Sequence, residues 1–299
     1  MKSPWEFFQD SRAKIKSTWK IAFFSAFLLG ILIHLPVMLS DIPNHDGLSS
    51  MYFDQNMITS GRWFLSIACG FSSYFTIPWI IGLIGLFWLG LAAAALTEVL
   101  ELTDPPVITA VSGLLVSFPA LASTFAYVFT LDGYMLALFL AILAVLFTKK
   151  YEKGWLAGAV CLAFSMGTYQ AYLPFAILLC VYVILLFFME TKGFRDKAVY
   201  VLHYLGMGAA GAVLYYVILQ ILLKLQGKVL DTYQGINSME HGSGQGLFAT
   251  VKGMYLDFLA FTVHGNVLVN NIFSLAACAV LVLLTAYLLI RGMLQRKWW

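Results

Sequence analysis

The chain has 299 residues, 61% of them hydrophobic and only 11% charged, with a net charge of +3. A soluble globular chain is about 25% charged and 45–50% apolar, so this one lacks the polar residues to cover an aqueous surface and would aggregate outside lipid. The near-neutral balance also excludes a basic field for nucleic acid, and no nucleic-acid partner is expected.

The first residues are not a cleavable signal peptide, because Glu6 and Asp10 precede the first apolar run and no small-residue cleavage site follows it. Over residues 4–19, Trp5, Phe8, Ile15 and Trp19 alternate with Arg12, Lys14 and Lys16. Residues 1–19 therefore read either as a helix in the cytoplasmic membrane interface or as a plain positive flank. A bilayer core about 30 Å thick takes about 20 apolar residues as a helix. Runs of that kind lie near 20–40, 76–97, 106–126, 133–148, 154–170, 171–190, 199–224 and 268–290. The expectation is an all-α polytopic bundle of about eight spans, one membrane domain over 20–299, with short interfacial helices in its outer loops.

Lys and Arg in the connections orient the chain, since they collect on the cytoplasmic side. With the N-terminus inside, fourteen of the 18 basic residues fall inside, and only Arg62, Lys224, Lys228 and Lys252 fall outside. Both termini are then cytoplasmic in a plasma or inner membrane. The two long loops, 41–75 and 225–267, face out with most of the chemistry-bearing side chains.

The first outer loop supplies Asp41, Asn44, His45, Asp46, Asp54 and Arg62. Asp46 is placed to cap a short surface helix over 47–59 that Gly61 would end; Asp41 would mark the membrane boundary. The alternative makes one of these carboxylates a general base within hydrogen-bond reach of a substrate proton, and capping does not exclude it. Asp132, in T-L-D-G-Y before a short span, is either a turn residue before Gly133 or an acid facing a wet cavity just below the membrane surface. In S-M-G-T-Y-Q-A-Y, Tyr172 reads as an interfacial anchor, and Gln170 beside Tyr169 as a group suited to a sugar hydroxyl.

The second outer loop carries H-G-S-G-Q-G at 241–246, which lacks the G-K-[ST] ending of a phosphate loop and reads as a hinge. Residues 247–263 have the spacing of a second surface helix. His34 and His203 lie within spans and read as packing residues. Cys69, Cys161, Cys180 and Cys278 sit in apolar runs without C-x-x-C spacing and read as small hydrophobes. No His/Cys/Asp spacing argues for zinc, and neither metal nor cofactor is expected.

An N-terminal span, an outer loop with N-H-D-G, Y-F-D and S-G-R-W, then L-D-G-Y and Y-Q-A-Y at later outer ends resemble the bacterial and phage O-antigen glucosyltransferase family over most of residues 20–190. The resemblance implies a GT-C-type, inverting membrane glycosyltransferase. It would move a hexose, usually glucose, from a polyprenyl-phosphate donor at the outer leaflet to a surface glycan or its lipid-linked precursor. It places the catalytic acid at Asp46 first and Asp41 second. Asn44, His45, Asp54, Arg62, Asp132, Tyr134, Tyr169 and Gln170 would form the substrate site, with Arg62 on the phosphate and Lys228, Lys252 and His264 as further cations. Two features depart from the family pattern: four residues separate Asp41 from Asp46 where the family's acids are adjacent, and the chain is short. Readings from other classes are a secondary transporter or a flippase-type partner. A transporter would show repeats and polar groups at mid-depth, whereas the acids here gather at outer ends.

Overall fold

The computed structural model describes residues 3, 15–40, 46–47, 57–69, 77–190, 193–231 and 246–260, with scattered positions between 272 and 291. Every regular element among them is helical. In chain order these are α1 (Ser17–Leu39), the single turn α2 (Leu65–Ala68), α3 (Pro78–Val99), α4 (Pro105–Ser117), α5 (Pro119–Thr124), α6 (Leu131–Lys150), α7 (Gly154–Thr168), α8 (Leu173–Glu190), α9 (Phe194–Gln226) and α10 (Leu247–Leu259). Short 3-10 turns precede α6 at Val128–Thr130 and α8 at Gln170–Tyr172. With those turns included, five of these helices are long and apolar enough to cross a membrane, and α4 and α7 are shorter apolar helices. The protein is a helical membrane protein. Residues 1–238 form one compact unit and residues 239–299 a second. The second unit contains α10, which begins at the expected residue, and is helical at each described position from Ile272 to Arg291.

In the first unit, small residues let the long helices approach. The buried residues of α1 are Ala22, Ala26, Gly30, His34 and Met38, a stripe at spacing four and hence one helix face. It lies against α3, where a Cβ on Gly82 would meet Met38 at 2.6 Å and one on Gly90 would meet Phe23 at 2.6 Å. On Gly158 of α7, a Cβ would come within 2.6 Å of both the Ala144 carbonyl and the Thr148 hydroxyl of α6. Lipid tails are as apolar as leucine, so close packing, not exclusion from water, joins helices in a bilayer.

Two spans differ from the hydropathy reading. The run over 106–126 breaks at Phe118, whose extended backbone (ψ 131°) separates α4 from α5. Pro119 is the cause: it disfavours helical backbone at the residue before it and has no N–H to donate. The break strands the Val116 carbonyl, and the His34 Nε2–H meets it at 2.9 Å while the imidazole stacks on Phe125 at 3.7 Å. His34 is thus a satisfied packing residue, as expected of it. The second difference is α9, which starts at Phe194 instead of near 199. Its 33 residues span about 50 Å at 1.5 Å per residue, so Arg195, Asp196 and Lys197 continue the helix beyond the hydrocarbon.

One end of the bundle is ionic. Glu98 of α3 accepts from Lys16 at 2.6 Å and from the Trp19 indole at 2.7 Å, with Lys150 of α6 at 3.6 Å. Lys149 pairs with Glu101 at 2.7 Å and donates to the Val99 carbonyl at 2.7 Å. The start of α1 and the last turns of α3 and α6 therefore meet at this end. The opposite end holds the connections 57–69, 127–134 and 168–172 and the exit from α9. Of the interfacial helix expected over 4–19, residues 4–14 lie outside the described residues, while Ser17–Trp19 already form the first turn of α1; the 241–245 part of the hinge also lies outside the described residues.

The break at Pro119 generates the first prediction. His34→Leu leaves a buried carbonyl without its donor, which costs about 1–3 kcal/mol. Thermal unfolding in detergent is expected to show a clear fall in stability for His34→Leu and none for Ser117→Ala, an exposed position on the same turn.

Candidate functional site

The site begins with a turn. Met57–Ser60 closes into Gly61, whose φ of 84° is open to glycine at no steric cost. The Gly61 N–H bonds the Ile58 carbonyl at 3.0 Å and the Arg62 N–H bonds the Met57 carbonyl at 2.6 Å, which together form a Schellman stop. Gly61 closes a turn where the end of a helix over 47–59 was expected; of that helix, Met57–Thr59 is turn, Gly47 is helical, and 48–56 lies outside the described residues. Past the stop, Arg62 and Trp63 leave in opposite directions.

Trp63 goes inward. It is 5% exposed and packs edge-on against Phe164 at 5.2 Å between ring centres, with Tyr215 at 6.4 Å. Its ring lies so close to α7 that a Cβ on Gly167 would fall 2.5 Å from it. The Phe64 N–H bonds the Gly167 carbonyl at 2.7 Å, so the chain after Arg62 is fastened to the end of α7. The Trp63 Nε1–H is buried without an acceptor among the described residues.

Arg62 goes to the end of the bundle, where it is half-buried. Its Nη1 donates to the Tyr134 hydroxyl at 3.3 Å, and its guanidinium lies 5.7 Å from the centre of the Tyr169 ring. Tyr134 and Tyr169 stack at 4.2 Å, and Tyr172 meets Tyr169 edge-on at 5.8 Å. No carboxylate pairs with Arg62 among the described residues. Five donors thus have one weak neutral acceptor and an aromatic face between them.

The turn is also held from α9. The Tyr215 hydroxyl donates to the Gly61 carbonyl at 2.9 Å and accepts from the Gln170 amide at 3.1 Å; the same amide donates to the Ser60 carbonyl at 3.3 Å. Gln170 therefore spends its N–H groups on the Ser60 carbonyl and the Tyr215 hydroxyl and keeps its carbonyl for other partners. Beyond the exit of α9, the Asp231 N–H bonds the Thr59 carbonyl at 2.9 Å.

The acids are distributed around this cluster. Asp132 is in the first turn of α6, not in the loop before it, and is 5% exposed. Its Oδ1 accepts the Gly133 N–H at 3.0 Å. Asp46 is exposed and helical, and its neighbour Gly47 lies beside Phe129, where an added Cβ would meet the ring at 3.5 Å. The structure therefore brings Arg62, Tyr134, Tyr169 and Gln170 together, with Asp132 two residues from Tyr134 and Asp46 beside the turn that leads into α6. Asp41, Asn44, His45, Asp54 and His264 lie outside the described residues. Lys228 follows the end of α9, and Lys252 is exposed on α10. Tyr215 was not singled out from sequence as a site residue. The pairing of Tyr215 with Gly61 spans 154 positions and leaves no local signal.

An apolar helical bundle with five helices long and apolar enough to cross a membrane defines a helical membrane protein, with Arg62 and stacked tyrosines gathered at one end. The family model for glucosyl transferase GtrII matches residues 35–298, and the chain belongs to this glucosyltransferase family. No curated protein and no solved structure matches the chain. The resemblance read from N-H-D-G and G-R-W is thereby borne out, and glucosyl transfer is the activity the family carries.

Gly167 tests the packing beneath this site. Gly167→Ala places a methyl inside the Trp63 ring, and overpacking of this kind costs about 1–3 kcal/mol. Gly167→Ala is expected to lower both the melting temperature and the specific activity. Restoration of both in Gly167→Ala/Trp63→Leu would confirm that the clash is the cause.

Proposed function

We propose that the protein transfers glucose from a polyprenyl-phosphate donor to a hydroxyl of a surface glycan or its lipid-linked precursor, on the non-cytoplasmic face, with inversion. The observation that carries this is the Arg62 guanidinium, set at one end of the bundle against Tyr134 and Tyr169 with no anionic partner among the described residues. A half-buried cation without a counter-ion is matched to an anionic ligand, and guanidinium meets phosphate oxygens in a bidentate, charge-assisted way. A lipid-borne phosphate arrives at this depth.

In this reading the acceptor oxygen attacks the anomeric carbon as the carbon–oxygen bond to phosphate breaks. The bonding pair leaves with the polyprenyl phosphate, already a good leaving group. Arg62 holds the charge that develops there. The acceptor proton passes to a carboxylate, Asp46 first and Asp41 second, with Asp132 the buried third candidate. Nearby carboxylates would also stabilise an oxocarbenium-like transition state. Asn44, His45 and Asp54 would complete the first-loop contacts to donor and acceptor. Tyr134 and Tyr169 would supply a face for the sugar, and the Gln170 carbonyl an acceptor for one of its hydroxyls. The ionic end with Lys16, Lys149 and Lys150 would face the cytoplasm, with both termini on that side, as the distribution of basic residues favours.

Purified protein is expected to transfer glucose from polyprenyl-phosphate glucose and not from a nucleotide sugar. Activity seen only with the nucleotide sugar would contradict the proposal. Asp46→Asn is expected to lower turnover by about a hundredfold or more while the protein still inserts and folds. Turnover near that of the unaltered protein would move the base to Asp41 or Asp132.

A further inference from the structure

Tyr215 lies within α9, far along the chain from the first outer loop. Yet its hydroxyl joins that loop to the turn before α8: it donates to the Gly61 carbonyl at 2.9 Å and accepts from Gln170 at 3.1 Å. Gln170 in turn ties the Ser60 carbonyl at 3.3 Å. The two residues immediately before Arg62 are therefore bonded by their carbonyls to α9 and to the turn before α8. On the other side, Phe64 is bonded to Gly167 at the end of α7. Tyr215 is 4% exposed and packs beside Trp63, so its ring is fixed by apolar neighbours whether or not the hydroxyl is present.

We infer that Tyr215 is a positioning residue for glucosyl transfer. Through Gly61 and Gln170, its hydroxyl fixes the direction in which Arg62 leaves the turn, and so the placement of the donor phosphate. The inference rests on the phosphate role proposed for Arg62. Arg62 needs such support because its side-chain contacts are weak. The Tyr134 bond is long at 3.3 Å, and the Tyr169 contact is to a ring face. Neither would hold a guanidinium to the tolerance that in-line displacement demands, where a misplacement of about 1 Å can cost about a hundredfold. A backbone pinned on both sides of Arg62 supplies that precision. Gln170 is the second member of the clamp. Its amide bridges two partners on different elements, so the turn, α9 and the start of α8 are set together.

The test is a double-mutant cycle on the intact protein, with polyprenyl-phosphate glucose as donor. Tyr215→Phe removes the hydroxyl and keeps the ring. It is expected to lower kcat/KM for the donor about tenfold or more, to leave the KM for the acceptor unchanged, and to keep a cooperative melt. Arg62→Lys retains the charge but loses the planar fork, and is expected to cost about a hundredfold. In the Arg62→Lys background the Tyr215→Phe effect is expected to vanish, because residues acting through one another are not additive. Three results overturn the inference. If Tyr215→Phe is kinetically neutral, or if the two losses multiply, Tyr215 does not act through Arg62. If Tyr215→Phe merely lowers the melting temperature with donor kinetics intact, its role is structural. A neutral Arg62→Lys would instead overturn the phosphate reading itself, and the two failures are thereby distinguishable.

Discussion

A guanidinium held at the edge of a hydrocarbon bundle with no carboxylate against it among the described residues is expensive to maintain, and the fold around Arg62 is arranged to keep it there. Removing a cation from water without a counter-charge is unfavourable, and the neutral phenol of Tyr134 and the ring of Tyr169 offset this only in part. The backbone supplies the rest: a left-handed glycine, a Schellman stop, and carbonyls of Ser60 and Gly61 tied to Gln170 and Tyr215. In a glucosyltransferase of the GtrII family, the phosphate of a lipid carrier is the anion we propose for Arg62.

The two ends of the first unit solve different problems. At one, Lys16, Trp19 and Lys150 close on Glu98 and Lys149 pairs with Glu101, so the charges are satisfied internally. At the other, Arg62 meets the Tyr134 hydroxyl and the ring of Tyr169, and aromatic rings surround it. Between the ends, the glycine and alanine faces of α1 and α3 and of α6 and α7 lock the helices at short range. The Trp63 ring pressed onto Gly167 carries this rigidity to the residue beside Arg62, so that packing in the membrane and geometry at its surface are one structure.

The spans were legible because a bilayer forces long apolar runs, and α1, α3 and α8 begin and end within a few residues of those runs. The break at Phe118 was hidden in an unbroken apolar stretch, although the Pro119 that causes it stands in plain sight; hydropathy does not register a missing N–H. The early start of α9 escaped for the opposite reason, since Arg195, Asp196 and Lys197 end the apolar run but not the helix. At the site, G-R-W announced both the glycine stop and the cation, and Tyr169 with Gln170 was recognisable at the end of a span. Asp132 read either as a turn residue or as an acid facing a wet cavity, because T-L-D-G-Y resembles a turn before a short span; the helix takes it into its first turn and buries it. Tyr215 could not be found, because a tyrosine within an apolar helix looks like any other until the fold brings Gly61 to its hydroxyl.

The central claim is that Arg62 binds the phosphate of the lipid carrier, and direct binding of the released product tests it without depending on which acid is the base. Titration of a short-chain prenyl phosphate into the detergent-solubilised protein, followed by calorimetry, is expected to give saturable binding that weakens about tenfold or more in Arg62→Gln, in line with the loss of a charge-assisted pair. The neutral prenyl alcohol is expected to bind weakly and equally to both proteins. Equal affinity of the two proteins for the phosphate would contradict the account.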